Sequence, residues 1–295
     1  MKTQTFGIEI ELTGITRKTA ANTVAGYFGT TAEYFGGAYD AYQVRDNIGR
    51  VWKLMSDSSI RPQSRRGTAT SEHKVELVSP ICRYEDIETV QEIIRQLRKA
   101  GAKANDSCGI HIHIGLGSHT PQTLRNLANI VASKEDLIYE ALGVLSHRSG
   151  FCQRTDADFI AGLNSKKPTS MTGLAEIWYA KYPGEKRDAH YNSSRYRLLN
   201  YHSVFTKGTV EFRVFNSTTH AGKIKAYIQF CLATSHQALT QKSASSRKTS
   251  TSNEKYTFRT WLLRLGLIGD EFKTARLHLL ANLKGDIAWR YSEAA

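Results

Sequence analysis

Residues 5–13 (TFGIEIELT) alternate apolar and polar side chains, the period-2 pattern of a strand with one buried face. The alternation returns at residues 73–78, at Gly109–Gly115 (GIHIHIG) and at residues 208–215 (GTVEFRVF), so each of these predicts a strand. Residues 42–45 and 51–55 flank Asp46-Asn47-Ile48-Gly49, turn chemistry that predicts a hairpin. Helical spacing takes over elsewhere. Arg17–Phe28 fits a short helix, and residues 86–100 put Ile87, Val90, Ile94 and Leu97 on one stripe, with acidic residues early, basic residues late and Gly101 as the stop. Thr120 and Pro121 supply an N-cap and a first-turn proline for a helix running towards Leu145, and residues 221–239 form another.

Residues 146–194 have weak periodicity and read as an irregular insertion with one helix, at about 174–182. Residues 241–255 (QKSASSRKTSTSNEK) are nearly free of apolar side chains and read as a mobile surface loop. Beyond it, residues 258–265 and 270–283 predict two helices split by Gly266 and Gly269. The expected organisation is one domain over residues 1–240 carrying the insertion, then the loop, then C-terminal helices over 256–295 packed on the same domain. Strands and helices mix without strict βαβ alternation, which predicts an α+β fold with a largely antiparallel sheet.

The 295 residues hold no apolar run near the length of a membrane span, and Met1-Lys2 leads straight into a strand, so a cytoplasmic protein without membrane contact is expected. Cys82, Cys108, Cys152 and Cys231 are scattered, as reduced thiols would be. Forty Lys plus Arg against 27 Asp plus Glu give a net charge of +13, which favours anionic partners: nucleic acid, nucleotides or acidic peptides. Basic residues concentrate at Arg61, Arg65 and Arg66 and in the 241–255 loop. No aromatic residues interleave there to stack bases, so nucleic acid is not the expected partner.

Side chains two apart on a strand project from one face, so Glu9 and Glu11 oppose Ile8, Ile10 and Leu12. By the same rule His111 and His113 oppose Ile110, Ile112 and Ile114; Glu76 opposes Val75 and Leu77; Glu211 and Arg213 oppose Val210, Phe212 and Val214. One such strand is explained by a solvent face. Several carrying Glu, His and Arg, in place of the usual Thr, Ser, Lys and Gln, call for something that neutralises the carboxylates. If these strands adjoin, Glu9, Glu11, Glu76, His111 and Glu211 form an oxygen-rich set with imidazole, suited to Mg²⁺ or Mn²⁺, and Arg213 among them suits metal-bridged phosphate. The chain has no P-loop, GxGxxG, HExxH or GxSxG motif, which leaves phosphate to metal and arginine. Arg195 and Arg197 are the nearest further candidates.

Taken in order, FGIEIE, WKLMSDSSI, VELVSP, CGIHIHIG, RYRLLNYHS and GTVEFRVFN resemble the amidoligase family, carboxylate-amine ligases related to glutamine synthetase and glutamate-cysteine ligase. The resemblance runs from residue 5 to about 239, and residues 258–280 look like the family's C-terminal helices. It implies a glutamine-synthetase-like fold, whose curved, largely antiparallel sheet lines the active site with helices on its apolar face. It also implies ATP with Mg²⁺ or Mn²⁺ as cofactors, and an acyl-phosphate route to an amide or isopeptide bond between a small-molecule or peptide carboxylate and an amine; the net charge favours acidic substrates. Position by position, Glu9, Glu11, Glu76, His111 and Glu211 look like metal ligands, with His111 and Glu211 also catalytic. Arg213 looks like the arginine that stabilises the transferred phosphoryl group. Arg195, Arg197 and Asn200 fall where nucleotide is bound, and Asp57, Ser59 and His113 on the substrate side. Two other readings use the same residues: a metal-dependent hydrolase or nuclease, and a non-catalytic basic module that binds nucleic acid.

Overall fold

The computed structural model describes residues 1–65 and 67–289; Arg66 of the basic cluster and residues 290–295 of the expected C-terminal helices lie outside the described residues. The chain divides into two compact units, one of residues 2–113 and 215–228, the other of residues 1, 114–214 and 229–295.

In the first unit β1 (Phe6–Leu12), β2 (Ala32–Gly36), β3 (Ala41–Arg45), β4 (Val51–Met55), β5 (Val75–Val78) and β6 (Gly109–Gly115, ending in the second unit) form an open sheet in the order β2-β3-β4-β5-β1-β6. The pairs β2·β3, β3·β4, β4·β5 and β5·β1 are antiparallel, and with two helices they make the mixed helix and antiparallel-sheet architecture that the patterning predicts. Register places Ile10 opposite Leu77 and Leu77 opposite Leu54, an apolar row that is fully buried. The two helices are α1 (Arg17–Phe28) and α2 (Ile87–Ala100), which pack on each other and bury Ala20, Ala21 and Val24 with Val90, Ile94 and Leu97. The expected hairpin is present. Asp46 accepts from the backbone N–H groups of Ile48 and Arg50, and Gly49 takes a positive φ of 84°. Strand β2 has no counterpart in the sequence reading: its AEYFG has no clean alternation, and most of it is exposed.

Two devices fix β5. Ile8 N–H donates to Ser79 Oγ (2.9 Å), which extends the β1·β5 pairing. Arg17, only 3% exposed, donates to the carbonyls of Ser71 (2.6 Å) and Lys74 (2.9 Å) and pairs with Asp40, holding the approach to the strand. Gly14 sits just past β1 at φ 89°, where a Cβ would lie 2.7 Å from the Gly101 carbonyl oxygen, so only glycine fits.

The second unit is built on α3 (Pro121–Leu142), which starts at the expected Thr120 cap and stops at Gly143 in the left-handed region. Weak periodicity concealed a helix in the insertion: α4 (Ala157–Lys166) precedes α5 (Met171–Trp178), where one helix had been expected. Phe159 of α4, Trp178 of α5 and Tyr201 form a ring cluster, with Trp178 and Tyr201 stacked at 5.5 Å and Tyr201 donating to the Leu124 carbonyl of α3 (2.6 Å). Next come β7 (Leu199–Asn200), α6 (His202–Thr206) and β8 (Thr209–Asn216, ending in the first unit); β7 and β8 pair antiparallel. The helix α7 (Ala221–Thr240) begins in the first unit and ends in the second, α8 (Glu254–Arg264) meets its Phe230 through Phe258 and Trp261, and α9 (Lys273–Leu280) packs against α8 and α3.

The segment 241–253, expected as a surface loop, is tied to α3 by long-range hydrogen bonds. It has no regular structure, but polar side chains of α3 hold it: Gln122 and Asn129 donate to the carbonyls of Lys242 and Ala244, Lys134 to Thr249 Oγ1, and Glu135 accepts from Lys248. These partners are far away in sequence, so local composition does not reveal them. No helix among the described residues is long and apolar enough to cross a membrane.

Two stability predictions arise in this unit. His119 is wedged between Thr123 Oγ1 (3.0 Å) and Ser235 Oγ (2.8 Å), and burial lowers its pKa to about 4. An unfolded histidine titrates near 6.5, so the unfolded chain binds the extra proton first as pH falls. The neutral side chain's contribution is therefore intact above pH 6.5 and is lost between 6.5 and 4, amounting to about 3 kcal/mol. His119→Gln should flatten that part of the urea-midpoint profile; an unchanged slope would assign it to other groups. The second concerns Gly162 within α4, where a Cβ would meet Ile177 Cγ2 of α5 at 2.8 Å. Alanine gains about 1 kcal/mol of helix propensity but forces two helices apart, so Gly162→Ala should lower unfolding stability by about 1 kcal/mol net in chemical denaturation.

Candidate functional site

In the first unit, β1, β5 and β6 put acidic and imidazole side chains on the face away from the apolar row. Antiparallel register sets Glu11 directly opposite Glu76, two carboxylates only 4% and 7% exposed. Glu11 accepts from Gly109 N–H (2.6 Å). Glu9 lies one side-chain repeat earlier on β1 and reaches both histidines: His111 Nδ1 is 3.0 Å from its Oε2, and His113 Nε2 is 3.3 Å from its Oε1. The imidazoles are thereby oriented by a carboxylate, as ligating histidines commonly are.

Two ligand groups lie wholly within the first unit, and Glu76 belongs to both. Glu9, Glu76 and His111 bring one donor atom each within 4.8 Å of one another, and so do Glu11, Asp57 and Glu76. Asp57 comes from the turn after β4, where its Oδ1 accepts from Ser59 N–H (2.7 Å) and Ser59 Oγ (2.6 Å). Buried carboxylates gathered this closely repel one another unless a cation sits among them, and oxygen donors with one imidazole suit a hard divalent ion. The donor chemistry therefore fits Mg²⁺ or Mn²⁺. Asp57, expected on the substrate side, lies within reach of Glu11 and Glu76; a turn residue has no face that periodicity could assign.

In the second unit, β8 carries Glu211 and Arg213, and β7 carries Asn200. Glu211 and Arg213 are 2% and 4% exposed and form an ion pair with each other. Asn200, paired with Glu211 in register, donates Nδ2 to Glu211 Oε2 (2.6 Å) and accepts from His202 N–H (2.8 Å). Its amide thus holds Glu211 in place. Arg213 also lies 6.0 Å from the Tyr196 ring centroid, and Arg195 lies 5.8 Å from the same centroid with its Nη1 on the His190 carbonyl. Arg197 is drawn elsewhere, to Asp156 and the Tyr182 hydroxyl, both at 3.1 Å. Burial opposes ionisation of Asp156, but Lys181, the N–H groups of Phe159 and Asp158, and the Arg197 charge outweigh it and hold the carboxyl below its usual range.

Arg148 escaped the sequence reading because it lies in the insertion, on no periodic element. It is 3% exposed, its Nη2 donates to the Arg213 carbonyl oxygen (3.2 Å), its Nε is buried without a partner, and no carboxylate among the described residues pairs with it. Arg148 thus brings a second buried guanidinium beside that of Arg213, and guanidinium groups are suited to an anion. His202, beside Asn200, donates or accepts at Tyr179 Oη (2.6 Å); burial lowers its pKa and pushes Tyr179 up to about 12, so both stay neutral at physiological pH.

Residues 2–235 match the model of a family described as putative amidoligase enzyme. No curated protein matches the chain. Among solved structures, the crystal structure of a bifunctional glutathione synthetase from Pasteurella multocida is 15% identical with a TM-score of 0.43, over 94% of this chain and 46% of that one. The chain thus spans about half the length of that enzyme.

Proposed function

Because the chain belongs to the putative amidoligase enzymes, ligases that join a carboxylate to an amine, we propose that it does so with ATP and Mg²⁺ or Mn²⁺ through an acyl phosphate, on a glutamine-synthetase-like fold. The observation that carries the metal dependence is the pair of ligand groups sharing Glu76. Glu9, Glu11, Asp57, Glu76 and His111 would hold divalent ions, and Glu211 is a further ligand by resemblance. Bound there, such ions neutralise phosphate charge and polarise the phosphorus–oxygen bond.

The chain's own side chains have distinct tasks in this reading. Arg213 stabilises the three-oxygen phosphoryl group as the substrate carboxylate oxygen attacks phosphorus and ADP departs. Glu211 and Asn200 hold the Arg213 guanidinium at a defined position, and Arg148 adds positive charge through the Arg213 backbone. Amine attack on the acyl phosphate then releases inorganic phosphate, and the amine proton leaves to solvent or a base. Arg195, on the Tyr196 ring that Arg213 also approaches, serves the nucleotide; Arg197 serves the insertion instead. Ser59, which fixes the Asp57 carboxylate, and His113 complete the substrate side. Substrates are small-molecule or peptide acids and amines.

The test is release of ADP and phosphate with Mn²⁺ or Mg²⁺ and a pool of carboxylates and amines, for wild type beside Glu9→Gln. Turnover that requires acid and amine together and is lost in the variant supports the ligase. Nucleic-acid cleavage without ATP, lost in the same variant, would replace it with the nuclease reading.

A further inference from the structure

The insertion that hid α4 also encloses a cavity of about 120 Å³, wholly within the second unit. Phe159, Ile177 and Trp178 form its apolar walls, and Lys166 and Tyr182 stand at its polar side. An engineered cavity of about 150 Å³ holds benzene, so this one suits a branched aliphatic group and excludes an indole. The cavity opens to solvent past Ala180 and Lys166, both exposed, as a binding site requires.

Charge around the cavity is unequal. Lys181 bridges Asp156 (3.0 Å) and Asp158 (2.6 Å), and Arg197 also pairs with Asp156, so two cations and two carboxylates balance. Lys166 is left with no ion pair among the described residues. Tyr182 Oη accepts from Arg197, which leaves its own hydrogen to donate. An ammonium and a hydroxyl donor beside an apolar cavity are complementary to a carboxylate carried on an aliphatic body.

The cavity is also wired to the ion pair on β8. Trp178 donates Nε1 to Ser194 Oγ (3.0 Å) and stacks on Tyr201, whose chain neighbour Asn200 holds Glu211. We propose that this cavity is a substrate subsite, taking the aliphatic side chain of an amino acid or peptide end while Lys166 and Tyr182 hold its carboxylate. This rests on the ligase reading for its role in turnover, though binding itself does not.

The experiment uses the full chain labelled with 5-fluorotryptophan, whose four tryptophans give separate ¹⁹F signals, with Trp178 assigned by Trp178→Phe. N-acetyl-leucine, N-acetylglycine and N-acetyl-leucinamide are titrated without nucleotide. N-acetyl-leucine should move the Trp178 signal and bind at least about tenfold tighter than N-acetylglycine, since burying each CH₂ is worth about 0.8 kcal/mol. Ala180→Trp, at the exposed mouth, should abolish the shift, and Lys166→Glu should weaken N-acetyl-leucine more than its amide. A Trp178 signal that never moves, equal binding of the leucine and glycine derivatives, or a shift that survives Ala180→Trp would each overturn the subsite. ADP release is measured on the same preparation with the acid and amine pool. Leucine-derivative binding without any ATP turnover removes the ligase reading and keeps the pocket; turnover in a protein that ignores the leucine derivatives does the reverse.

Discussion

Glu76→Gln should lower metal-dependent turnover by about a thousandfold or more, while leaving the metal-free protein at least as stable as wild type. Glu76 is the one side chain common to both ligand groups, so a neutral amide weakens both at once, whereas Asp57→Asn touches only one. The stability half follows from register: Glu76 faces Glu11 across β5·β1, both are buried, and removing one of two opposed charges relieves repulsion. Glutamine has nearly the same shape, so packing is kept. Calorimetric Mn²⁺ binding and thermal unfolding in chelator check both halves together. A variant that still binds Mn²⁺ as wild type does would remove Glu76 from the ligand set, and one that unfolds much earlier in chelator would make the carboxylate a structural group.

Arg213→Ala should be costly in two separable ways. It leaves Glu211, 2% exposed, without its cation, a loss of about 3–5 kcal/mol by analogy with other broken buried pairs, moderated by the remaining Asn200 hydrogen bond. It also removes the phosphoryl-stabilising charge, expected to lower kcat by about a thousandfold. The double variant Arg213→Ala/Glu211→Gln, measured beside Glu211→Gln alone, separates the two, because a neutral amide tolerates burial beside Asn200 and the single variant gives the turnover baseline. The double variant's unfolding midpoint in urea should recover most of the loss, and its ADP release should not. Recovery of both would reduce Arg213 to a structural partner of Glu211.

The chemistry-bearing strands were legible because alternation alone assigns faces. Glu9, Glu11, Glu76, His111, His113, Glu211 and Arg213 each sit opposite isoleucine, leucine, valine or phenylalanine neighbours, and a buried apolar underside forces them to the other face. Arg195, Arg197 and Asn200 were located but not resolved into tasks. Their segment is short and irregular, and only long-range partners separate the arginine on Tyr196 from the one on Asp156 and the amide on Glu211. The helix α4 was missed for a related reason: mean spacing is diluted where Phe159 and Leu163 are its only buried positions.

By itself, then, the order of apolar and polar residues determined an α+β chain with an antiparallel sheet, the faces that carry carboxylate, imidazole and guanidinium, and the kind of ion such donors suit. Tertiary structure decided which carboxylates meet. The β1·β5 register puts Glu11 against Glu76, a turn delivers Asp57 to them, and a buried Arg148 reaches the Arg213 backbone from the insertion. The physical reason is range. Alternation is a local property set by backbone geometry, whereas register, ion pairing and the cavity between α4 and α5 depend on contacts between residues far apart in the chain, whose partners no local pattern names.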